Sequence, residues 1–256
     1  MRLHDTLTAA LDDALLRATA IAPFAEQHSL NVDDAYRIQQ AGIGRRLQRG
    51  ERVTGLKMGF TSVAKMQQMG VTDQICGTLT DAMQIDNGAS LDLQQRIHPR
   101  CEPELAFLLK QDVPPDADAA TAHAAIAAVA PAIEIIDSRF RQFRFSLVDV
   151  IADNASSSAF VLGSWHDCPA DLTHLPVELH IDGRLAQSGS SADILGDPLR
   201  SLLAAARLAR RAGIALTAGS IVLAGAATPA VALQPGQHIE AHVAGMGEAT
   251  FYVSTP

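Results

Sequence analysis

The feature that most restricts the fold of this chain is an apolar run at residues 105–109 that directly follows two closely spaced glutamates. A half-exposed strand would alternate polar and apolar side chains, so this run predicts a strand buried on both faces. Successive side chains on a strand point to opposite faces, so Glu102 and Glu104 share one face with Ala106. Both carboxylates therefore point toward the interior. A buried, ionised carboxylate needs a partner, a proton or a metal ion.

A third acid lies in a similar setting. Glu134 is flanked by Ile133 and Ile135, and it shares a strand face with Ala132 and Ile136. Three inward glutamates suit a hard divalent cation, which prefers oxygen ligands.

Plainer interpretations of the three acids remain open. The first two glutamates can form a polar strand end in solvent. Glu134 can instead be a buried acid paired with a nearby arginine, and Arg139 and Arg100 are the candidates.

Composition limits the class of protein. Of the 256 residues, 48% are hydrophobic and 19% are charged, which allows a sizeable core and argues against disorder. The net charge is -8 and no basic run is present, so nucleic acid and anionic membranes are poor partners. Three cysteines without a Cys-x-x-Cys motif, and a start that lacks a signal-peptide core, predict a reducing, cytoplasmic location.

The domain organisation follows from the spacing of apolar residues. Leucines and alanines at helical spacing over residues 4–20, and a second segment capped by Asn31 or Asp33, predict a helical N-terminal extension over residues 1–50. After residue 50 strands outnumber helices without a regular βαβ order, which predicts an α+β domain over residues 51–256 with a mixed or antiparallel sheet. The alanine-rich residues 119–129 predict a helix within it.

Two further side chains are candidates for chemistry. Lys57 lies on a predicted strand between Gly55 and Gly59, and the missing side chains leave room for a ligand beside it. Its plainer interpretation is a surface lysine on an edge strand. Asp81 is a lone acid, a type that more often caps a turn than catalyses a reaction.

Polar residues in the middle of the chain suggest substrate contacts. Arginine alternates with phenylalanine or glutamine from Arg139 to residue 145, a pattern that fits carboxylate recognition or merely a solvated basic edge. Asn154 and Ser156 belong to a polar cluster that can hold a ligand or simply form a turn.

Four motifs, at residues 57–62, 99–107, 134–139 and 152–156, together resemble the fumarylacetoacetate hydrolase superfamily. Within it, the chain resembles the branch of 2-keto-4-pentenoate hydratases and 4-oxalocrotonate (2-oxo-3-hexenedioate) decarboxylases. The match runs from about residue 34 to near the end of the chain. Cys76 replaces the aromatic residue expected there, and residues 79–83 look hydratase-like, whereas residues 102–104 and 139–145 look decarboxylase-like.

The resemblance implies a mixed β-roll or β-sandwich core behind the helical extension. It implies Mg²⁺ or Mn²⁺ bound by Glu102, Glu104 and Glu134, and it makes Lys57 the active-site lysine. Asp81 is a second candidate for proton transfer. The candidate substrate-binding residues are Arg139, Asn154, Ser156 and Thr228.

The expected activity is metal-dependent decarboxylation of 4-oxalocrotonate to 2-hydroxypenta-2,4-dienoate in aromatic meta-cleavage catabolism, through a metal-stabilised enolate. The first alternative is the 2-keto-4-pentenoate hydratase reaction. Carbon–carbon hydrolysis of an acylpyruvate would need a histidine–glutamate dyad; the N-terminal part offers His28, but no glutamate is placed to form the dyad with it. A non-catalytic partner subunit of a sister enzyme is the remaining alternative. We expect a small 2-oxo acid as substrate and a homo-oligomer, and association with a sister hydratase or decarboxylase stays open.

Overall fold

The computed structural model describes residues 3–62, 66–67 and 70–255. A short helix predicted between Thr61 and Gly70 lies partly outside these residues. Five α-helices lie wholly within the described residues: α1 Leu3–Leu16, α2 Val32–Gln48, α3 Ala119–Ala125, α4 Leu147–Ala152 and α5 Pro198–Ala209. The strands are β1 Val53–Gly59, β2 Ile75–Thr80, β3 Gln84–Ile85, β4 Ser90–Leu91, β5 Arg100–Leu109, β6 Ile126–Ile136, β7 Ser157–Leu162, β8 Pro176–Ile181, β9 Arg184–Ser190, β10 Ile221–Ala226, β11 Val231–Ala232, β12 His238–Val243 and β13 Gly247–Val253.

The strands form two mixed sheets. The larger has the order β2-β1-β10-β5-β6-β7-β3, with β11 pairing to β5, and the smaller has the order β4-β13-β12-β8-β9. Most pairs are antiparallel, but β1 with β10, β3 with β7 and β13 with β4 are parallel. This mixed arrangement confirms the predicted α+β class.

The two sheets pack face to face. Ile133 and Val161 from the large sheet share one buried cluster with Ile239, Ala249 and Phe251 from the small sheet. Such interdigitated inner faces define a β-sandwich.

A separate buried cluster fills the inside of the large sheet. Leu79, Ala106, Ala132, Phe160 and Leu223 meet there from five different strands. The large sheet is therefore curled around a small core of its own, which confirms the β-roll expectation.

The N-terminal helices pack against the curled sheet. Leu7 and Ile38 belong to the same buried cluster as Leu105 and Phe107 of β5. The buried amide of Gln39 donates hydrogen bonds to the carbonyls of Cys76 (3.0 Å) and Ile151 (2.8 Å). The two N-terminal helices therefore share one core with the domain that follows.

The helix predicted over residues 119–129 is shorter than expected. Helix α3 ends at Ala125, and β6 begins at Ile126. From Ile126 onward the chain pairs with β5, and Pro131, which lacks an N–H, cannot belong to a helix interior. Strand pairing thus outweighs the helix propensity of the alanines.

None of the helices within the described residues is both long enough and apolar enough to cross a membrane.

Asp149 fastens the N-terminal segment to α4, and its removal tests this connection. Its buried carboxylate accepts hydrogen bonds from the backbone N–H groups of Phe24 (2.8 Å), Ala25 (3.1 Å) and Ser146 (2.8 Å). We expect Asp149→Ala to lower the free energy of unfolding by about 3 kcal/mol, because the donors lose a charged acceptor. Urea denaturation measures the change. The exposed Asp116→Ala is the control, and equal stability of the two variants would contradict the assignment.

Candidate active site and metal centre

The pairing of strands brings four charged side chains to the inside of the curled sheet. Glu102 lies directly opposite Glu134 in the antiparallel pair of β5 and β6. Lys57 of β1 pairs with Leu223 of β10, which in turn pairs with Ala106 of β5. Residues paired across strands share a face, so the lysine and the glutamates all face the small inner core.

The three glutamates form a compact, buried cluster. Oxygens from Glu102, Glu104 and Glu134 lie within 4.8 Å of one another. The exposed fractions of these residues are 5%, 0% and 0%. This burial rules out the plainer interpretation of a solvent-exposed strand end.

Some carboxylate oxygen atoms of this cluster lack a hydrogen-bond partner among the described residues. Glu104 Oε2 accepts a hydrogen bond from the N–H of Gly225 at 2.7 Å. Within the described part of the chain, Glu104 Oε1 and Glu134 Oε1 have no hydrogen-bond partner. Buried, unpaired carboxylate oxygens are costly unless a cation is bound. The donor set is all oxygen, which fits a hard divalent ion such as Mg²⁺ or Mn²⁺.

Lys57 is the counter-charge of the cluster. Its Nζ lies 2.8 Å from Glu134 Oε2 and donates a hydrogen bond to the carbonyl of Ala155 at 3.1 Å. Glu134 is thus paired with a lysine, and not with Arg100 or Arg139. Burial lowers the pKa of Lys57, but the carboxylates of Glu134, Glu104 and Glu102 outweigh it, so the pKa lies above its ordinary value.

The acids of the cluster are shifted toward their neutral forms. Burial, followed by the charge of Glu134, raises the pKa of Glu104 well above its ordinary value, and Lys57 opposes the shift. Burial also raises the pKa of Glu134, again against Lys57. Three carboxylates thus share one ammonium group, and a divalent cation would supply the missing positive charge.

The Ala155 carbonyl belongs to a turn whose residues have left-handed backbone conformations. Asn154, Ala155 and Ser156 have φ values of 51°, 52° and 58°, the left-handed region that costs a residue with a Cβ about 1 kcal/mol or more. The Asn154 side chain accepts from Thr78 N at 2.7 Å and donates to Thr78 O at 2.9 Å. A Cβ at Gly77 would lie 2.4 Å from Asn154 O, so only glycine permits this approach. The turn is therefore held against β2.

A cavity of about 500 Å³ opens beside these groups. Lys57 and Glu102 line it together with Ser156 and Thr228, whereas Glu104 and Glu134 lie buried behind them. Apolar side chains form much of its remaining wall: Met58, Phe60, Ile75, Ile136, Phe143, Phe145 and Val150. The hydroxyl of Ser156 is buried and has no hydrogen-bond partner within the described residues.

Asp81 does not reach the cavity. Its carboxylate accepts hydrogen bonds from the N–H (2.8 Å) and Nε (3.0 Å) of Arg52. These bonds hold its pKa below the ordinary value. The prediction that Asp81 transfers protons has no support in this geometry, and the turn-capping interpretation fits it.

Arg139 is also absent from the cavity wall. Its buried guanidinium binds the side chain and carbonyl of Asp153 and the carbonyl of Asp137. Burial raises the pKa of Asp153 to about 6, and Arg139 opposes that shift. The expected substrate contact is therefore replaced by an internal ion pair. Asn154, which binds Thr78, likewise positions the turn and is not part of the lining.

Several cavity residues were not among the predicted site residues. Thr61 and Ser62 precede the partly described segment, whereas Ser188 lies on β9 and Asp193 lies just after that strand. They belong to no local motif of acid, base or metal ligand. The backbone N–H of Leu195 donates to the carbonyl of Thr61 at 2.8 Å, and an added Cβ at Gly189 would lie 2.3 Å from the carbonyl oxygen of Ala227, so these segments meet closely at the cavity.

Comparison with known protein families identifies the family of this chain. The model of the fumarylacetoacetate (FAA) hydrolase C-terminal family matches residues 69–254. The chain belongs to the fumarylacetoacetate hydrolase family. This membership agrees with the four motifs and with the curled, two-sheet core.

Relatives of this hydrolase-family chain include decarboxylases and hydratases. A 4-oxalocrotonate decarboxylase of Pseudomonas sp is 50% identical over 241 residues, which cover 94% of each chain. A 2-keto-4-pentenoate hydratase of Paraburkholderia xenovorans (strain LB400) is 37% identical over 243 residues, covering 93% of this chain and 90% of the relative. The solved 4-oxalocrotonate decarboxylase from Pseudomonas putida G7, complexed with magnesium and adipate, is 33% identical, with a TM-score of 0.92 and 99% coverage of both chains.

The turn of this family member can be tested through Asn154. We expect Asn154→Ala to lower the free energy of unfolding by about 2 kcal/mol, because two hydrogen bonds to Thr78 disappear and the left-handed turn loses its support. Thr78→Val is the matched control, since the Thr78 hydroxyl is buried and has no partner within the described residues. Urea denaturation of both variants provides the comparison. A larger loss in Thr78→Val would show that the side chain of Asn154 does not hold the turn.

Proposed function

We propose that this enzyme decarboxylates 4-oxalocrotonate to 2-hydroxypenta-2,4-dienoate, with Mg²⁺ or Mn²⁺ as cofactor. The observation that carries the proposal is the buried triad of Glu102, Glu104 and Glu134, of which Glu102 lines the cavity, in a chain 50% identical over nearly its whole length to a 4-oxalocrotonate decarboxylase. The solved decarboxylase with magnesium and adipate supports the metal and a dicarboxylate-sized ligand.

The three glutamates would hold the ion. Two of their buried oxygens are unpaired within the described residues, and all three side chains offer hard oxygen donors. When bound, the ion supplies Lewis acidity for the 2-oxo acid end of the substrate. The glutamates themselves fix its position, since β5 and β6 hold them rigidly from both sides.

Lys57 supplies positive charge beside the triad. Its ammonium group is fixed by Glu134 and the Ala155 carbonyl, so it cannot move away as a flexible surface lysine would. In this position it stabilises negative charge that develops on the 2-oxo acid and can exchange a proton with it. The unpaired hydroxyl of Ser156 and the side chain of Thr228 are placed to orient the substrate.

The cavity wall favours decarboxylation over hydration. Its apolar lining includes Ile75, Ile136, Phe143, Phe145 and Val150. A carboxylate leaves as neutral CO₂ more readily where charge is poorly solvated, whereas hydration requires an activated water molecule.

The hydratase reaction is the second candidate. It is favoured by the relative named 2-keto-4-pentenoate hydratase, which is 37% identical over 243 residues. The same charge cluster would serve both reactions, because each passes electrons to the 2-oxo end. A non-catalytic partner role explains neither the buried triad nor the fixed lysine, because a binding subunit needs no such costly cluster.

We also propose that the enzyme works in the cytoplasm as a homo-oligomer, with association to a sister enzyme left open. All three cysteines are free thiols, which suits a reducing compartment. Leu16 and Leu47, on the two N-terminal helices, are 62% and 42% exposed and offer apolar surface to a second copy. Analytical ultracentrifugation of the purified protein tests the assembly.

Turnover tests the proposed reaction. With Mg²⁺ present, we expect wild-type protein to consume 4-oxalocrotonate and release CO₂, and Glu104→Gln to lower kcat by about a hundredfold or more. Loss of ultraviolet absorbance and a coupled CO₂ assay measure the reaction. Exposed Glu26→Gln is the control. Hydration of 2-hydroxypenta-2,4-dienoate without CO₂ release from the diacid would favour the hydratase.

Metal binding should depend on pH in a defined direction. The raised pKa of Glu104 means that the metal-free folded protein keeps a proton which the unfolded chain releases near pH 4.5. The metal-free protein therefore loses stability as the pH rises above that value, and Mg²⁺ binding must displace the proton. We expect the increase in Tm on adding Mg²⁺ to become larger as the pH rises above about 4.5. Thermal melts with Mg²⁺ or a chelator measure it. A Glu104→Gln variant with the same response would contradict the assignment.

A further inference from the structure

A second cluster of metal-ligand side chains lies on the opposite side of the small sheet from the core. Along β12, Ile239, Ala241 and Val243 are buried against the large sheet. Alternation along the strand places Glu240 and His242 on the outer face. The strands β8, β12 and β13 contribute no residue to the lining of the catalytic cavity.

The neighbouring strands add ligands to the same face. Glu248 of β13 lies directly opposite His242. On the other side, His180 of β8 lies opposite Glu240, and Glu178 lies opposite His242. Because paired residues share a face, carboxylates and imidazoles from three strands meet at one point on the surface.

The distances fit a bound ion. Ligand atoms of Glu240, His242 and Glu248 lie within 4.8 Å of one another. His242 Nδ1 and Glu248 Oε2 are 3.3 Å apart. Two ligands of a tetrahedral Zn²⁺ ion, each bound at about 2.0 Å, would be separated by about 3.3 Å. We propose that Glu240, His242 and Glu248 form a binding site for a transition-metal ion, with Zn²⁺ as the preferred occupant.

The ligand chemistry separates this site from the catalytic triad. The triad offers only carboxylate oxygens, which suit Mg²⁺, whereas the outer site adds an imidazole, which suits Zn²⁺. Excess Mg²⁺ should therefore fill the inner site and leave the outer one available. The inference goes beyond the proposed decarboxylation and does not depend on it.

Neighbouring side chains would hold the ligands in place. The His180 ring meets the His242 ring edge-on, with centroids 4.8 Å apart, and its Nε2 lies 2.8 Å from Glu178 Oε2. His238 Nδ1 lies 3.6 Å from Glu240 Oε2, and its Nε2 lies 2.6 Å from the Thr250 hydroxyl. Such outer contacts orient metal ligands and sharpen affinity.

A bound ion would join β12 to β13 across their exposed face. Since an ion that binds only the folded state stabilises it, Zn²⁺ should raise the Tm of the protein even when Mg²⁺ is saturating. The site would thus stabilise the small sheet independently of turnover.

Isothermal titration with Zn²⁺, in excess Mg²⁺, tests the proposal on the full chain. We expect one Zn²⁺ per chain, with the Kd raised about tenfold or more in His242→Gln and in Glu248→Gln. Exposed His174→Asn should bind like wild type, and so should Glu104→Gln, whose change lies in the inner triad. Thermal melts without zinc verify that the outer-face variants remain folded.

Three results would overturn the proposal. The first is no zinc uptake by wild type in excess Mg²⁺. The second is unchanged uptake by His242→Gln and Glu248→Gln, which would show that zinc binds elsewhere. The third is uptake lost in Glu104→Gln, which would place the zinc in the inner triad.

Discussion

The structure depends on the enclosure of three carboxylates and one ammonium group inside a curled sheet. With all four groups ionised, the cluster has three negative charges and one positive charge, in a region where Glu104 and Glu134 are 0% exposed. At low effective dielectric, unbalanced charges at such separations repel by several kcal/mol. The fold therefore requires either protonation, which the raised pKa of Glu104 reflects, or a divalent cation. The register of β5 and β6 brings the carboxylates together, and Lys57 together with a proton or a divalent cation offsets their negative charge.

The backbone around the cluster is arranged to preserve that balance. Lys57 needs a second acceptor besides Glu134, and the strained turn at residues 154–156 provides the Ala155 carbonyl. The turn is fixed to β2 through Asn154, and β2 is in turn fixed to α2, because Gln39 bonds to Cys76. The N-terminal helices thus stabilise the site indirectly, through β2 and the turn at residues 154–156. This chain of contacts explains how a segment without catalytic residues is joined to the chemistry.

The local sequence pattern predicted part of the charge cluster, whereas its full arrangement depends on pairing between strands that are distant in sequence. The i,i+2 spacing of Glu102 and Glu104 in an apolar run was sufficient to predict two inward carboxylates. That Glu134 lies opposite Glu102 depends on the register of β5 and β6, which no single segment encodes. Local pattern also failed for Arg139, because an arginine that binds its own neighbourhood and one that binds substrate look alike in sequence. Helix α3 was predicted too long for the same reason, since the pairing of Ile126 with Leu109 is a non-local contact.

The difference between local pattern and long-range contact also explains why the family is easily recognised from the sequence and its decarboxylase and hydratase branches are not. The motifs at residues 57–62, 99–107, 134–139 and 152–156 contain the charge cluster and its supports, on which decarboxylation and hydration equally depend. What separates the two reactions is access of water to the far carbon of the substrate. Phe143, Phe145 and Val150, together with the polar Ser188 and Asp193, line the cavity through which water would reach that carbon. Val150 lies on α4, Ser188 lies on β9, and the others lie between the labelled elements. These residues meet only in the folded chain, so this part of the cavity wall depends on tertiary contacts that the four motifs do not contain.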